Sequence, residues 1–134
     1  MGTRSITRVI EDGKHIMNMY RQFDGYPSGH GKELAEFIHG KPMVNGFQGK
    51  NQLAFNGGGC LAAGIVSNFK KGIGGFYLKP VEQTDCWQDY EYILIVDSIA
   101  LTLRINVISH GEALFEGDTQ QFIEWCDKPE DDEE

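Results

Sequence analysis

Thr3-Arg4-Ser5-Ile6-Thr7-Arg8-Val9-Ile10, then Asp12-Gly13, then Lys14 to Phe23, is the stretch whose reading decides the fold. Arg4, Ile6, Arg8 and Ile10 fall on one side of an extended chain, and Thr3, Ser5, Thr7 and Val9 on the other, the two-residue period of a strand. Asp-Gly suits a two-residue hairpin turn, whose central positions both need positive φ. Lys14 to Phe23 is therefore read as the partner strand, and the chain opens on a β-hairpin.

Outward from the hairpin, Lys32 to His39 has Leu34, Phe37 and Ile38 at helical spacing, with Gly40 placed to end the helix. Lys41 to Phe55 is polar and rich in turn residues, and is read as a mobile loop. Cys60 to Lys71 predicts a second helix with a Leu61, Ile65 and Phe69 stripe and Gly72 after its end. Ile73 to Pro80, Tyr90 to Val96, Ala100 to Ile108 and a short Ala113 to Phe115 are read as strands, with Asp97-Ser98 turning the second into the third. Asp118 or Thr119 is placed to cap a last helix carrying Phe122, Ile123, Trp125 and Cys126. Strands in hairpins and helices in a block predict an α+β fold: an antiparallel sheet of five or six strands with two or three short helices on one face.

The 134 residues suit one domain, read as a globular body over 1–126 and an acidic disordered tail over 127–134. That tail holds six acids and one base, so it supplies -5 of the net charge of -8. The remaining -3 is neither basic enough for general nucleic-acid binding nor acidic enough to mimic DNA. No apolar run is long enough for a membrane span, and Met1 to Ser5 lacks the core of a signal peptide, so a cytoplasmic protein is expected. Three cysteines without a CxxC pair argue for reduced thiols. His15, His30, His39 and His110 are scattered, and neither a metal nor a cofactor is expected.

Three stretches carry candidate chemistry. Tyr20 to Gly31 sets three rings, an Arg, an Asp, a His and three glycines between the hairpin and the first helix. Tyr20, Phe23 and Tyr26 offer stacking faces, Arg21 a forked anion contact, and Asp24, Ser28 and His30 polar contacts. Gly29 and Gly31 lead to a helix N-terminus, where free amides favour an anion. Asn56-Gly57-Gly58-Gly59 precedes the second helix and offers the same device, without a Walker A or dinucleotide fingerprint. Trp87, among polar neighbours, is an added stacking candidate, and Arg4 and Arg8 are added phosphate contacts. Each of these also has a structural reading: local core, turn, surface charge or helix cap. Cys60, at the start of a helix, is the one candidate nucleophile, with His30 or His110 as its base. A Cys flanked by Leu and Ala is more often simply packed.

Gly2-Thr3-Arg4-Ser5, Tyr20 to Gly31, Asn56 to Ala63 and Gly74-Gly75-Phe76-Tyr77 together resemble a family of small proteins met in phage and metagenomic sequences. The resemblance spans most of residues 2–126 and rests most on the Arg21 to Gly31 string. The family has no established activity, so it implies a viral setting but no catalytic residues. By analogy of size and inventory alone, it is similar to phage sponge proteins that sequester cyclic nucleotide or cyclic ADP-ribose signals. The expected function is non-catalytic sequestration of a nucleotide-like, phosphate-bearing molecule by a homo-oligomer. The alternatives are a Cys60 hydrolase and a protein–protein inhibitor of a host enzyme.

Overall fold

The computed structural model describes residues 2–46 and 54–127. Residues 47–53 of the expected mobile loop and all but the first residue of the expected acidic tail lie outside these residues. Strand β1 (Ser5–Glu11) and strand β2 (Lys14–Arg21) form the opening hairpin. Asp12 and Gly13 hold φ of 51° and 83°, the paired positive values of a type I′ turn. A π-helical turn (Pro27–Gly31) runs directly into helix α1 (Lys32–Ile38). Strands β3 (Met43–Val44) and β4 (Phe55–Asn56) make a small parallel pair before helix α2 (Gly57–Phe69). Strands β5 (Phe76–Leu78), β6 (Tyr90–Asp97), β7 (Thr102–Ser109) and β8 (Glu112–Asp118) follow, and helix α3 (Thr119–Asp127) closes the order.

The result is an α+β fold with a six-stranded sheet in the order β5-β2-β1-β6-β7-β8. Four of its five pairings are antiparallel. The central one, β1 with β6, is parallel, so the sheet is not built from hairpins alone. A parallel pair needs a long crossover, and here both helices α1 and α2 lie in the chain between β1 and β6. Helix α2 begins at Gly57, three residues before the expected start at Cys60. Of the expected Ile73 to Pro80 strand only three residues pair, and the last strand is longer than expected.

A β-bulge between Val9 and Ile10 sets the faces of the hairpin. Beyond it Ser5 pairs with Arg21, Thr7 with Met19 and Val9 with Met17. These face the helices together with Tyr92, Leu94, Val96, Ile105 and Val107, and all three helices bury their apolar residues there. Ile6, Arg8, Asn18 and Tyr20 alternate to the opposite face. Around Arg8 and Asn18 that face is covered. Arg8 donates to the carbonyls of Val81 and Gln83 at 3.2 and 2.7 Å, and Asn18 Nδ2 donates to those of Pro80 and Gln83 at 3.1 and 2.9 Å. These bonds strap the segment 79–83 across the sheet, with Glu91 3.6 Å from Arg8 Nε.

Candidate functional site

Arg21 ends β2 on the helix-facing side, and its side chain lies beneath α1. Its Nη1 donates to His30 Nδ1 at 3.1 Å and to Glu33 Oε1 at 2.7 Å. Its guanidinium also lies over the Phe76 ring, 4.9 Å from the centroid. An acceptor role at Nδ1 puts the His30 proton on Nε2, which donates to Thr7 Oγ1 at 2.7 Å. The imidazole is completely buried, with the rings of Phe69 and Tyr92 each 5.0 Å away between centroids. Burial, and then the Arg21 charge, hold it neutral with a pKa lowered to about 3. Four side chains from β1, β2, the π-turn and α1 thus make one row: Thr7, His30, Arg21, Glu33.

The row opens into a cleft of about 500 Å³ between α1 and α2, lined by Arg21, Glu33, Phe37, Lys41, Lys71 and Phe76, with Glu36, Asn68 and Phe69 completing it. Three cations face two acids, and three phenylalanine rings provide flat apolar wall. The arrangement can take an anion on a cationic floor and a ring against the wall. His30 serves as a support that fixes the Arg21 fork in place.

Of the residues singled out in the sequence, only Arg21 lines this cleft. Arg8 is corrected by the sheet register: it is buried on the far face, with its guanidinium taken by two carbonyls and Glu91, so it offers no phosphate contact. Tyr20 lies on that far face too, with Lys79 Nζ 5.3 Å from its ring centroid. Arg4 is tied through its backbone to Asp89, its N–H donating to Oδ2 at 3.0 Å. The expected anion site at Gly29 to Gly31 is also corrected. Gly29 and Gly31 donate to the Tyr26 carbonyl and His30 to that of Asp24, because the π-turn continues into α1 and uses these amides internally. Close approach of backbone seats this loop on β1: a Cβ on Gly25 would fall 2.7 Å from Ser5 Cβ. Tyr26 donates to Asp24 at 3.1 Å, while Phe23, like Trp87, is largely exposed away from the cleft's lining. Ser28 sits within the π-turn and is absent from that lining.

At the second glycine stretch, the Gly58 amide donates at 3.0 Å to Glu11 Oε2. The α2 N-terminus already has its anion, a carboxylate of the same chain. Asn56 and Gly57 line a different, polar cleft with Glu11 and Ser98. This also bears on Cys60. It lies two residues beyond the Glu11 contact, at the Glu11 end of β1. His110 lies 3.6 Å from Asp89, at the other end, because Tyr90 pairs with Ser5. Six residue steps of strand separate the two ends by about 20 Å. His30 has both ring nitrogens occupied and no exposure. Neither histidine is placed to act as a base for Cys60.

Glu33, Phe37, Lys41, Lys71 and Phe76 were absent from the sequence-derived candidates. Glu33 and Phe37 sit in a helix read for its apolar stripe. Lys41 opens the segment read as a loop, Lys71 ends the one read as the second helix, and Phe76 lies within the one read as a strand. Among the described residues, no three His, Cys, Asp or Glu side chains gather as a metal site requires, and no helix is long and apolar enough to cross a membrane. The fold and the cleft together define an α+β domain with an internally braced arginine at the floor of a ring-lined groove. No family model, curated protein or solved structure matches the chain.

Proposed function

We propose that the protein is a non-catalytic binding protein that sequesters a nucleotide-like, phosphate-bearing small molecule in the cleft between α1 and α2. The supporting observation is the Arg21 guanidinium, oriented by His30, stacked on Phe76 and set at the floor of a cleft of ligand size. A braced fork loses little freedom when an anion arrives, which favours tight binding. Lys41 and Lys71 add charge for further phosphates, and Phe37 and Phe76 supply faces for a base. In the viral setting that the sequence resemblance implies, the ligand is a signalling nucleotide such as a cyclic nucleotide or cyclic ADP-ribose.

The test is calorimetry with mono-, di- and cyclic nucleotides. Saturable binding that Lys71→Glu weakens, with the fold unchanged, supports the reading; no heat from any of them overturns it. Glu33 supplies a second, signed prediction. Its carboxylate, about half exposed, already occupies the Arg21 fork and competes with an incoming anion. Glu33→Gln keeps an acceptor for Arg21 but removes the repulsion, and is expected to tighten nucleotide binding by about three- to tenfold, the scale of one like charge removed near a protein surface. An unchanged or weaker affinity in the variant places the anion away from Arg21.

A further inference from the structure

The cleft between α1 and α2 is bordered by a loop that the chain's own packing does not explain. Gly72-Ile73-Gly74-Gly75 lies between α2 and β5, and the residues on either side of it, Lys71 and Phe76, both line the cleft. Ile73, at the tip, is fully exposed. Gly74 and Gly75 hold φ of 77° and 80°, the region that favours glycine. Gly72 is different. Its φ is not positive, and a Cβ there would meet no atom within 4 Å. In this conformation an isoleucine packs on nothing and a glycine answers no steric need. Both are accounted for by a second conformation of the loop, one that turns at Gly72 and buries Ile73.

The loop has a fixed base and a releasable clasp. At the base, the Gly75 carbonyl accepts the Gln22 amide at 2.9 Å, which ties it to the residue after Arg21. The clasp is Lys70. Its Nζ donates to the carbonyls of Gly74 and Phe76 at 2.9 Å each and lies 5.5 Å from the centroid of the Tyr77 ring. These are contacts of an exposed side chain with neutral oxygens. A phosphate in the cleft offers the same ammonium a charged acceptor, and an ion-to-ion hydrogen bond is the stronger one. Release of Lys70 leaves the tip free to swing between Gly72 and Gly75. Ile73 is two residues from Lys71 and three from Phe76, so a short swing carries it over whatever lies between those two walls.

We propose that the segment 72–75 is a flap that closes over a nucleotide bound beside Arg21: Lys70 leaves its two carbonyls for a phosphate, and Ile73 packs on the ligand's apolar face. The flap rests on the nucleotide reading of the cleft. It supplies contacts that differ between the two loop states, which a ligand-driven change requires. Calorimetry of the full chain with the same mono-, di- and cyclic nucleotides tests it. For a nucleotide that wild type binds, Ile73→Ser is expected to raise the dissociation constant about tenfold, the scale of burying one aliphatic side chain, with circular dichroism and melting unchanged. Ile99→Ser is the matched control: Ile99 is also an exposed isoleucine, in the β6–β7 turn and absent from the cleft's lining, and its variant is expected to bind as wild type does. In the ligand-free protein Lys70→Met is expected to speed amide exchange from Gly74 to Phe76, and unchanged exchange there overturns the clasp. A nucleotide bound equally by wild type and Ile73→Ser overturns the flap and leaves the reading of the cleft standing, as does an equal loss in Ile99→Ser. A wild type that binds no nucleotide overturns the reading of the cleft and the flap with it.

Discussion

Replacing His30 by alanine is expected to destabilise the protein by about 3–5 kcal/mol, the range for truncating a buried ring and stranding its hydrogen-bond partners. For a domain of this size that lowers the melting temperature by roughly 10–20 °C. The ring fills the space between Phe69 and Tyr92, and it alone joins Thr7 of β1 to Arg21 of β2. Its loss leaves a cavity, a buried hydroxyl without its donor, and a guanidinium with one acceptor fewer. His30→Gln, which retains polar atoms at the tip, is expected to recover part of the difference in a chemical or thermal melt. An alanine variant as stable as wild type contradicts the bracing role.

The same residue sets an acid limit. In the folded chain His30 stays neutral down to about pH 3, whereas in the unfolded chain it takes up a proton near its ordinary value of 6.5. Between those values the unfolded state holds the extra proton, so stability rises with pH. The contribution is complete above about pH 6.5 and falls by roughly 1.4 kcal/mol for each pH unit below it. Urea midpoints from pH 7 to pH 4 are expected to decline with this slope in wild type and to lose that component in His30→Gln. Parallel declines in the two proteins contradict the assignment.

Arg8→Met is the second large effect, with an expected cost of about 2–4 kcal/mol, the scale for removing one partner from a buried charged network. Methionine keeps much of the stem volume but none of the donors. The Val81 carbonyl loses its bond, Gln83 keeps only Asn18, and Glu91 loses its cation. The segment 79–83 is held by these side chains and few backbone bonds, so amide exchange there is expected to rise far more than in β6 or β7. Uniform exchange across the sheet contradicts the idea of a strap.

The hairpin was legible because its alternation and its Asp12-Gly13 turn are local signals. The bulge two residue pairs beyond the turn was not. A two-residue turn without a bulge pairs Ser5 with Tyr20; the extra residue, Ile16, shifts the pairing so that Arg21 stands opposite Ser5 instead. A one-residue slip exchanges faces. That slip places Met19 and Arg21 on the face of Thr7, and Tyr20 on the face of Arg8. The sequence reading grouped Arg4, Arg8, Tyr20 and Arg21 into one site, and register divides them between two faces. His30 shows the same limit. Nothing in Ser28-Gly29-His30-Gly31 indicates burial, because its partners Thr7, Phe69 and Tyr92 come from distant segments. The parallel β1–β6 pairing was hidden for a like reason: both strands alternate well enough to read as hairpin members, and only the crossover through α1 and α2 fixes their direction.

Chemical-shift mapping during a nucleotide titration tests the central proposal most directly. Saturable shifts centred on Arg21, Glu33, Phe37, Lys71 and Phe76 are the predicted result, with His30 responding through its bond to Arg21. Shifts centred on Gly57 to Gly59 or on Trp87, or no shifts with any nucleotide at millimolar concentration, contradict it.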